Sequence, residues 1–420
     1  MRASLAPLSE REFRLLFIGR FASYLGSAVA PVALAFAVID ELEGSPTALG
    51  LVLMAAWLPQ IVFVLIGGVF ADRLPRHFVL VGSNVLSGAA QAAAAILLLT
   101  GSAEIWHFAA LQVVRGIASS FFFPASTGIV PQTVSAPLLQ QANALLRLTT
   151  NAALVFGTAA GGIAVAAVGS GWAIAFDAGT YFLSAGVLVF MRLPGTIKAA
   201  SSVLHDLREG WQEFRSRQWL WVIVISALFG NMASNGSTGV LGPVVAQEAL
   251  GGAAAWGAIS AAGAAGLVLG GLITLRLKPR RPLLVGQIAL LFWTLPLAAL
   301  ALELPTVAIA GFALLAGIGL ELFGVYWDTT LQQHVPQEAL SRVSSYDALG
   351  SFVAIPIGLS IVGPVSAAIG VSATLWVAFG ICVVAMGGAF LSREVRTLER
   401  RNDTVEIDPT PEPAAVTSSP

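Results

Sequence analysis

Glu321 and Asp328 are the residues whose type, spacing and surroundings point most directly to chemistry. They lie seven residues apart in an apolar run over 305–333, so a helix puts both carboxyls on one face, two turns apart. A charge at the centre of a bilayer costs at least ~2.5 to 3.5 kcal/mol, so an acid there needs a partner or a purpose. Burial favours its neutral form and a neighbouring Arg its ionised form. An acid held between the two can take up and release a proton, or recognise a cation. Asp347, Asp177 and Arg115 are embedded in apolar runs in the same way. Asn143, Arg147 and Asn151 recur at i, i+4 and i+8, making one helical face polar. That face either lines a cavity or packs against another polar helix.

The same residue types exclude other chemistry. His77, His107, His205 and His334 are scattered, Cys382 stands alone, and no metal-ligand spacing occurs, so no metal or cofactor is expected. Neither Lys198 nor Lys278 follows a Gly, as a phosphate-binding loop requires, so an ATP-driven pump is not expected. With no catalytic cluster, the chain is not expected to be an enzyme.

The elements that position these charges are set by hydropathy. Hydrophobic residues make up 56% of the 420 residues and charged ones 11%, with a mean hydropathy of +0.82. A soluble core of this size cannot hide so much apolar surface, so the natural solvent is a bilayer. Twelve apolar runs between residues 13 and 392 are each long enough to cross a ~30 Å hydrocarbon layer. A net charge of −1 with only two Lys leaves no surface for nucleic acid.

Orientation follows from the cations. Connections after runs 2, 6 and 8 carry Arg73 and Arg76, then Arg192, Lys198, Arg208, Arg215 and Arg217, then Arg276, Lys278, Arg280 and Arg281. The opposite connections, around Asp40–Glu43, Glu104 and Glu303, hold acids only. Both termini are therefore expected in the cytoplasm of a multi-pass plasma (inner) membrane protein. The expected organisation is a six-helix bundle over 1–192, a cytoplasmic loop over 193–218, a second bundle over 219–392 and a disordered tail over 393–420. Trp211 and Phe214 beside Arg215 and Arg217 suggest an amphipathic segment on the membrane surface.

The two bundles are related by an internal repeat. Gly67-Gly68 with Arg73 recurs as Gly270-Gly271 with Arg276 at an offset of 203, Val130-Pro131-Gln132 as Val335-Pro336-Gln337 at 205, and Asn143-Ala144-Leu145 as Asp347-Ala348-Leu349 at 204. Six helices and six related helices imply a pseudo-two-fold axis along the membrane normal, with a substrate path between the halves.

The segment Gly68-Val69-Phe70-Ala71-Asp72-Arg73-Leu74-Pro75-Arg76 resembles the signature loop of the major facilitator superfamily. Gly44 to Gly50, Pro124-Ala125, Ala142 to Leu145 and Phe176-Asp177-Ala178 extend the likeness over about 380 residues. It is most similar to the drug:proton antiporter branch that includes macrolide efflux proteins. The resemblance implies an all-α integral membrane protein, twelve transmembrane helices in two pseudo-symmetric six-helix bundles. It implies a conformational latch at Gly68, Asp72, Arg73 and Arg76, a proton-transfer role or a structural ion pair for Arg115, and a helix-bracing or proton role for Asp177. The second half has Leu275 where Asp72 stands in the first, and helix 5 has Thr158 where the branch carries a Pro. Helix 1 has Gly26-Ser27 where the branch often has Gly-Asp.

The function these observations imply is proton-coupled efflux of amphipathic or hydrophobic small molecules by a monomeric secondary transporter. Glu321 leads the coupling candidates, followed by Asp328, Arg115, Asp347 and Asp177. Phe21, Tyr24, Phe123, Phe323, Tyr326 and Trp327 are candidates for the cavity wall with Asn143, Arg147 and Asn151, or for plain packing. The alternatives are uptake or exchange of a metabolite on the same fold, and a membrane receptor or scaffold that transports nothing.

Overall fold

Every regular element of the described chain is helical. A computed structural model describes the backbone of residues 3–73, 75–135, 138–193 and 211–400; within these, the side chains of 3–5, 64–73, 123, 124, 127, 128, 140, 144, 337–342 and 345 lie outside the description. In hydrocarbon every backbone polar group must bond internally, which is why apolar runs of this length become helices.

The first half contains α1 (Arg11–Phe36), α2 (Pro46–Arg73), α3 (Arg76–Leu99), α4 (Ile105–Ile129), α5 (Leu139–Val168) and α6 (Ser170–Leu188). The second contains α7 (Gln218–Val245), α8 (Ala253–Arg276), α9 (Pro282–Leu290), α10 (Leu295–Ala301), α11 (Thr306–His334), α12 (Gln337–Phe352), α13 (Ile355–Ile369) and α14 (Val371–Gly388), with α15 (Arg393–Thr397) following. Two runs that read as continuous are broken. The ninth span is α9 and α10 joined by a 3-10 turn, and the eleventh is α12 and α13, interrupted where Pro356 removes a backbone donor. By contrast α5 runs unbroken through Thr158, whose hydroxyl bonds the Leu154 carbonyl.

The halves repeat one packing scheme. In the first, α1 packs on α5 and α6, α2 on α4, and α3 on α4 and α6; in the second, α7 packs on α13 and α14, α8 on α11, α9 on α11, and α10 on α14. The polar ties repeat as well. Asn84 donates to the Ser184 hydroxyl (2.9 Å) between α3 and α6, and Gln287, 203 residues later in sequence, donates to the Met386 carbonyl (2.9 Å) between α9 and α14.

Contact between the halves is concentrated at the end that carries the acidic connections. There α5 packs on α8 and α2 on α13. The approach is backbone to backbone: a Cβ on Gly162 would lie 2.7 Å from the Ala253 carbonyl oxygen and 2.8 Å from Gly257 Cα. Small residues are what allow such proximity between membrane helices. Helices α1 and α7 both end in π-turns, Ala37–Glu41 and Ala246–Leu250. Gln247 of the second donates to Asp40 of the first (2.8 Å), the one side-chain hydrogen bond between halves among the described residues.

Two expectations need correction. The start of the tail is ordered: α15 docks on the second half, and Glu394 accepts from the Trp219 backbone at the start of α7 (2.8 Å). Residues 401–420, and 194–210 of the central loop, lie outside the described residues. The end of that loop packs on protein rather than resting only on lipid, because Phe214 is buried and stacks with Trp211 (5.6 Å) against Tyr346 of α12.

Candidate functional site

The repeat places α5 of one half and α11 of the other beside α8, and their polar faces meet across the gap. Arg147 is exposed on α5, Asn143 one turn nearer the basic end is also exposed, and Asn151 is half-buried. On α11, Glu321 is half-buried and Asp328 exposed. Arg147 lies within electrostatic reach of both acids. None of the three makes a salt bridge with another among the described residues, so the charges face each other at more than 4.0 Å. Glu321 owes its position to α8, where a Cβ on Gly270 would lie 2.8 Å from Glu321 Cβ. The Gly pair recognised in the repeat thus makes room for the acid.

A second polar cluster is enclosed within the first half. Arg115 donates to Gln112 (3.0 Å) and to the Tyr181 hydroxyl (3.4 Å), which in turn shares a hydrogen bond with the Ser27 hydroxyl (2.9 Å). Asp177 is fully buried and accepts from Gln91, bracing α6 against α3. Arg115 and Asp177 are electrostatic neighbours, yet Arg115 Nε and Asp177 Oδ1 have no hydrogen-bond partner. Each charge is therefore met by neutral groups, Arg115 by the acceptors Gln112 and Tyr181 and Asp177 by the donor Gln91, and no direct ion pair joins the two. Gly26 completes the enclosure, since a Cβ there would meet Asp177 Oδ1 at 2.6 Å. In the second half Gly230 and Cys382, at offsets of 204 and 205, take the places of Gly26 and Asp177, and the Cys382 thiol points to the Gly230 carbonyl. Among the described residues, no Asp, Glu, Lys or Arg of the second half is buried as Asp177 is.

Asp347 forms a third group, accepting from Trp327 Nε1 (2.9 Å) and the Ser351 hydroxyl (3.3 Å). Asn231 of α7 donates to the Ser351 carbonyl (3.0 Å) beside the break in the eleventh span.

The aromatic candidates divide. Phe21 is exposed, and Tyr24 lies under the Arg20 guanidinium at 5.8 Å. Tyr326 and Trp327 do not border the gap: both are buried, Tyr326 bonding the Leu277 carbonyl (2.9 Å) and Trp327 packing edge-on against Trp219. Their polar tips need buried partners, and neighbouring helices supply them. Phe323 stacks on Trp327 at 6.1 Å. Phe123, Gly68, Asp72 and Arg73 lie outside the described side chains; Arg76 is half-buried at the start of α3.

Sequence reasoning missed Gln91, Gln112 and Tyr181, and took Ser27 only as a lost acid. Amides inside apolar runs were the available signal, since buried amides require partners.

Comparison with known proteins agrees with this architecture. The chain is 26% identical to the uncharacterized MFS-type transporter YfiS of Bacillus subtilis (strain 168) over 210 residues, a match spanning about half of each (49% and 49%). It is 25% identical to the multidrug efflux pump Tap of Mycolicibacterium fortuitum over 379 residues, 86% of this chain and 90% of that one. The solved structure of the nucleoside transporter NupG superposes with a TM-score of 0.75 at 13% identity, over 90% of this chain and 98% of that one. With residues 16–359 matching the sequence profile of the Major Facilitator Superfamily, the chain belongs to that family of membrane transporters.

Proposed function

We propose that this transporter exports amphipathic or hydrophobic small molecules in exchange for protons, with its basic end in the cytoplasm. The observation that carries the reading is the set of charges facing each other between the halves, Arg147 on α5 against Glu321 and Asp328 on α11. An acid at such a place can exchange a proton for a substrate only if the halves expose it to each side in turn. In the conformer described, the halves meet at the acidic end, and Asn143, Arg147 and Asp328 are exposed, as a cytoplasm-facing state under the positive-inside rule requires. Likeness to a protein named a multidrug efflux pump supports export. The membrane potential supplies ~2.3 kcal/mol per charge per 100 mV, enough for one proton to drive a useful gradient.

Glu321 is the coupling acid in this account and Arg147 the group that returns it to the ionised state. Asp328 and Asn143 form the mouth of the path. Asp177 and Arg115 brace the first half. The test is a proteoliposome assay with an imposed pH gradient and a panel of lipophilic dyes and antibiotics. Gradient-dependent movement of a compound supports the proposal, and movement indifferent to the gradient removes the proton from it.

A further inference from the structure

We propose that a pocket at the basic end of the second half binds the phosphate group of an anionic membrane phospholipid through Lys278 and Arg400. The pocket lies where the α8–α9 connection crosses α11, walled by Leu277, Pro279, Pro282 and Tyr326, with a volume of about 90 Å³. Drug-sized sites occupy ~300 to 1,000 Å³, so this one suits a headgroup and not a transported drug.

Its two cations are held in place and have no carboxylate of their own. Tyr326 anchors the connection through its bond to the Leu277 carbonyl (2.9 Å), and the Arg400 backbone donates to the Arg280 carbonyl (2.8 Å), which brings the Arg400 side chain to the pocket. Arg276, Lys278, Arg280 and Arg281 are four cations in six residues. The nearby acids are committed elsewhere: Glu394 to the Trp219 backbone, and Glu399 to Arg281 at 3.9 Å. Neither Lys278 nor Arg400 has an ion-pair partner among the described residues, so positive charge is left facing a concave site. Basic pockets between transmembrane helices at this membrane face are suited to anionic headgroups.

A lipid is favoured over a free anion by what adjoins the pocket. Leu277 lines the pocket just past the end of α8 and is exposed, as are Leu272 and Leu275 on the last turns of that helix, giving apolar surface for an acyl chain. Exposed Leu is ordinary on a membrane protein; its position beside a cationic pocket supplies both parts of a phospholipid site.

The experiment is native mass spectrometry of the full chain in detergent with phosphatidylglycerol, phosphatidylcholine or inorganic phosphate added. The variants are Lys278→Gln, Arg400→Gln and the pair together, with Arg215→Gln as a basic control at the same membrane face. Removing two cations is expected to weaken phosphatidylglycerol binding on the order of 30-fold, the increment typical of two basic residues beside anionic lipid. Phosphatidylcholine binding and the Arg215→Gln variant should be unaffected. Unchanged phosphatidylglycerol binding in the double variant would overturn the site. Equal binding of inorganic phosphate would make it a free-anion site and overturn the lipid assignment. The readout is binding alone, so it is independent of whether the transporter exports.

Discussion

Gly162 of α5 and Gly257 of α8 hold the halves together at the acidic end with no side chain between their backbones, 2.8 Å separating a Cβ built on Gly162 from Gly257 Cα. A larger residue at Gly162 is incompatible with this seam but tolerable once the seam opens. Gly162→Leu should disfavour the described conformer by roughly 1 to 3 kcal/mol, a population shift of about 5- to 150-fold. The check is maleimide labelling of Asn143→Cys at the basic end, feasible because the native Cys382 is buried. Labelling should slow several-fold when Gly162→Leu is added; an unchanged rate would show that the seam does not control the opening.

Gly26 faces Asp177 Oδ1 and Thr180. Gly26→Ala should force α1 and α6 apart at a cost of about 1 to 3 kcal/mol, read as a lower Tm in detergent. Gly230→Ala, placed equivalently, meets only the flexible end of Met386 and a distant Trp293. Its Tm should fall less, and equal losses would refute the asymmetry between the halves.

Removing the Asp177 carboxyl leaves Arg115 without its buried countercharge and Gln91 without its acceptor. Asp177→Ala should therefore destabilise by about 3 to 5 kcal/mol. Asp177→Asn keeps an acceptor for Gln91 and the side-chain volume, so it should retain most of the fold. If transport survives Asp177→Asn, the residue braces helices; if transport alone is abolished, it carries a proton.

Much of the architecture could be read from residue order because a bilayer imposes strong, local rules. Run length, cation placement and the Gly67/Gly270 repeat depend on nearby residues and on an offset of 203, both visible in one dimension. The packing of Tyr326 and Trp327 was not visible, because α11 is apolar on most of its circumference and gives an aromatic residue no face preference. The Gln91–Asp177 and Ser27–Tyr181 bonds join residues 86 and 154 positions apart, which no local spacing encodes. Glu321, Asp328 and Arg147 were legible one by one, since each is costly in lipid. Their meeting across the halves depends on which helices the pseudo-two-fold axis brings together.

Glu321 is proposed to exchange a proton for the substrate between the two halves. The most direct measurement is proton-gradient-driven transport in proteoliposomes by the native chain and by Glu321→Gln, with substrate exchange at equal pH run in parallel. Glu321→Gln is expected to lose gradient-driven accumulation by at least ~10², the low end of what a positioned acid–base group contributes, while exchange without a gradient persists. Accumulation at the native level in Glu321→Gln would contradict it.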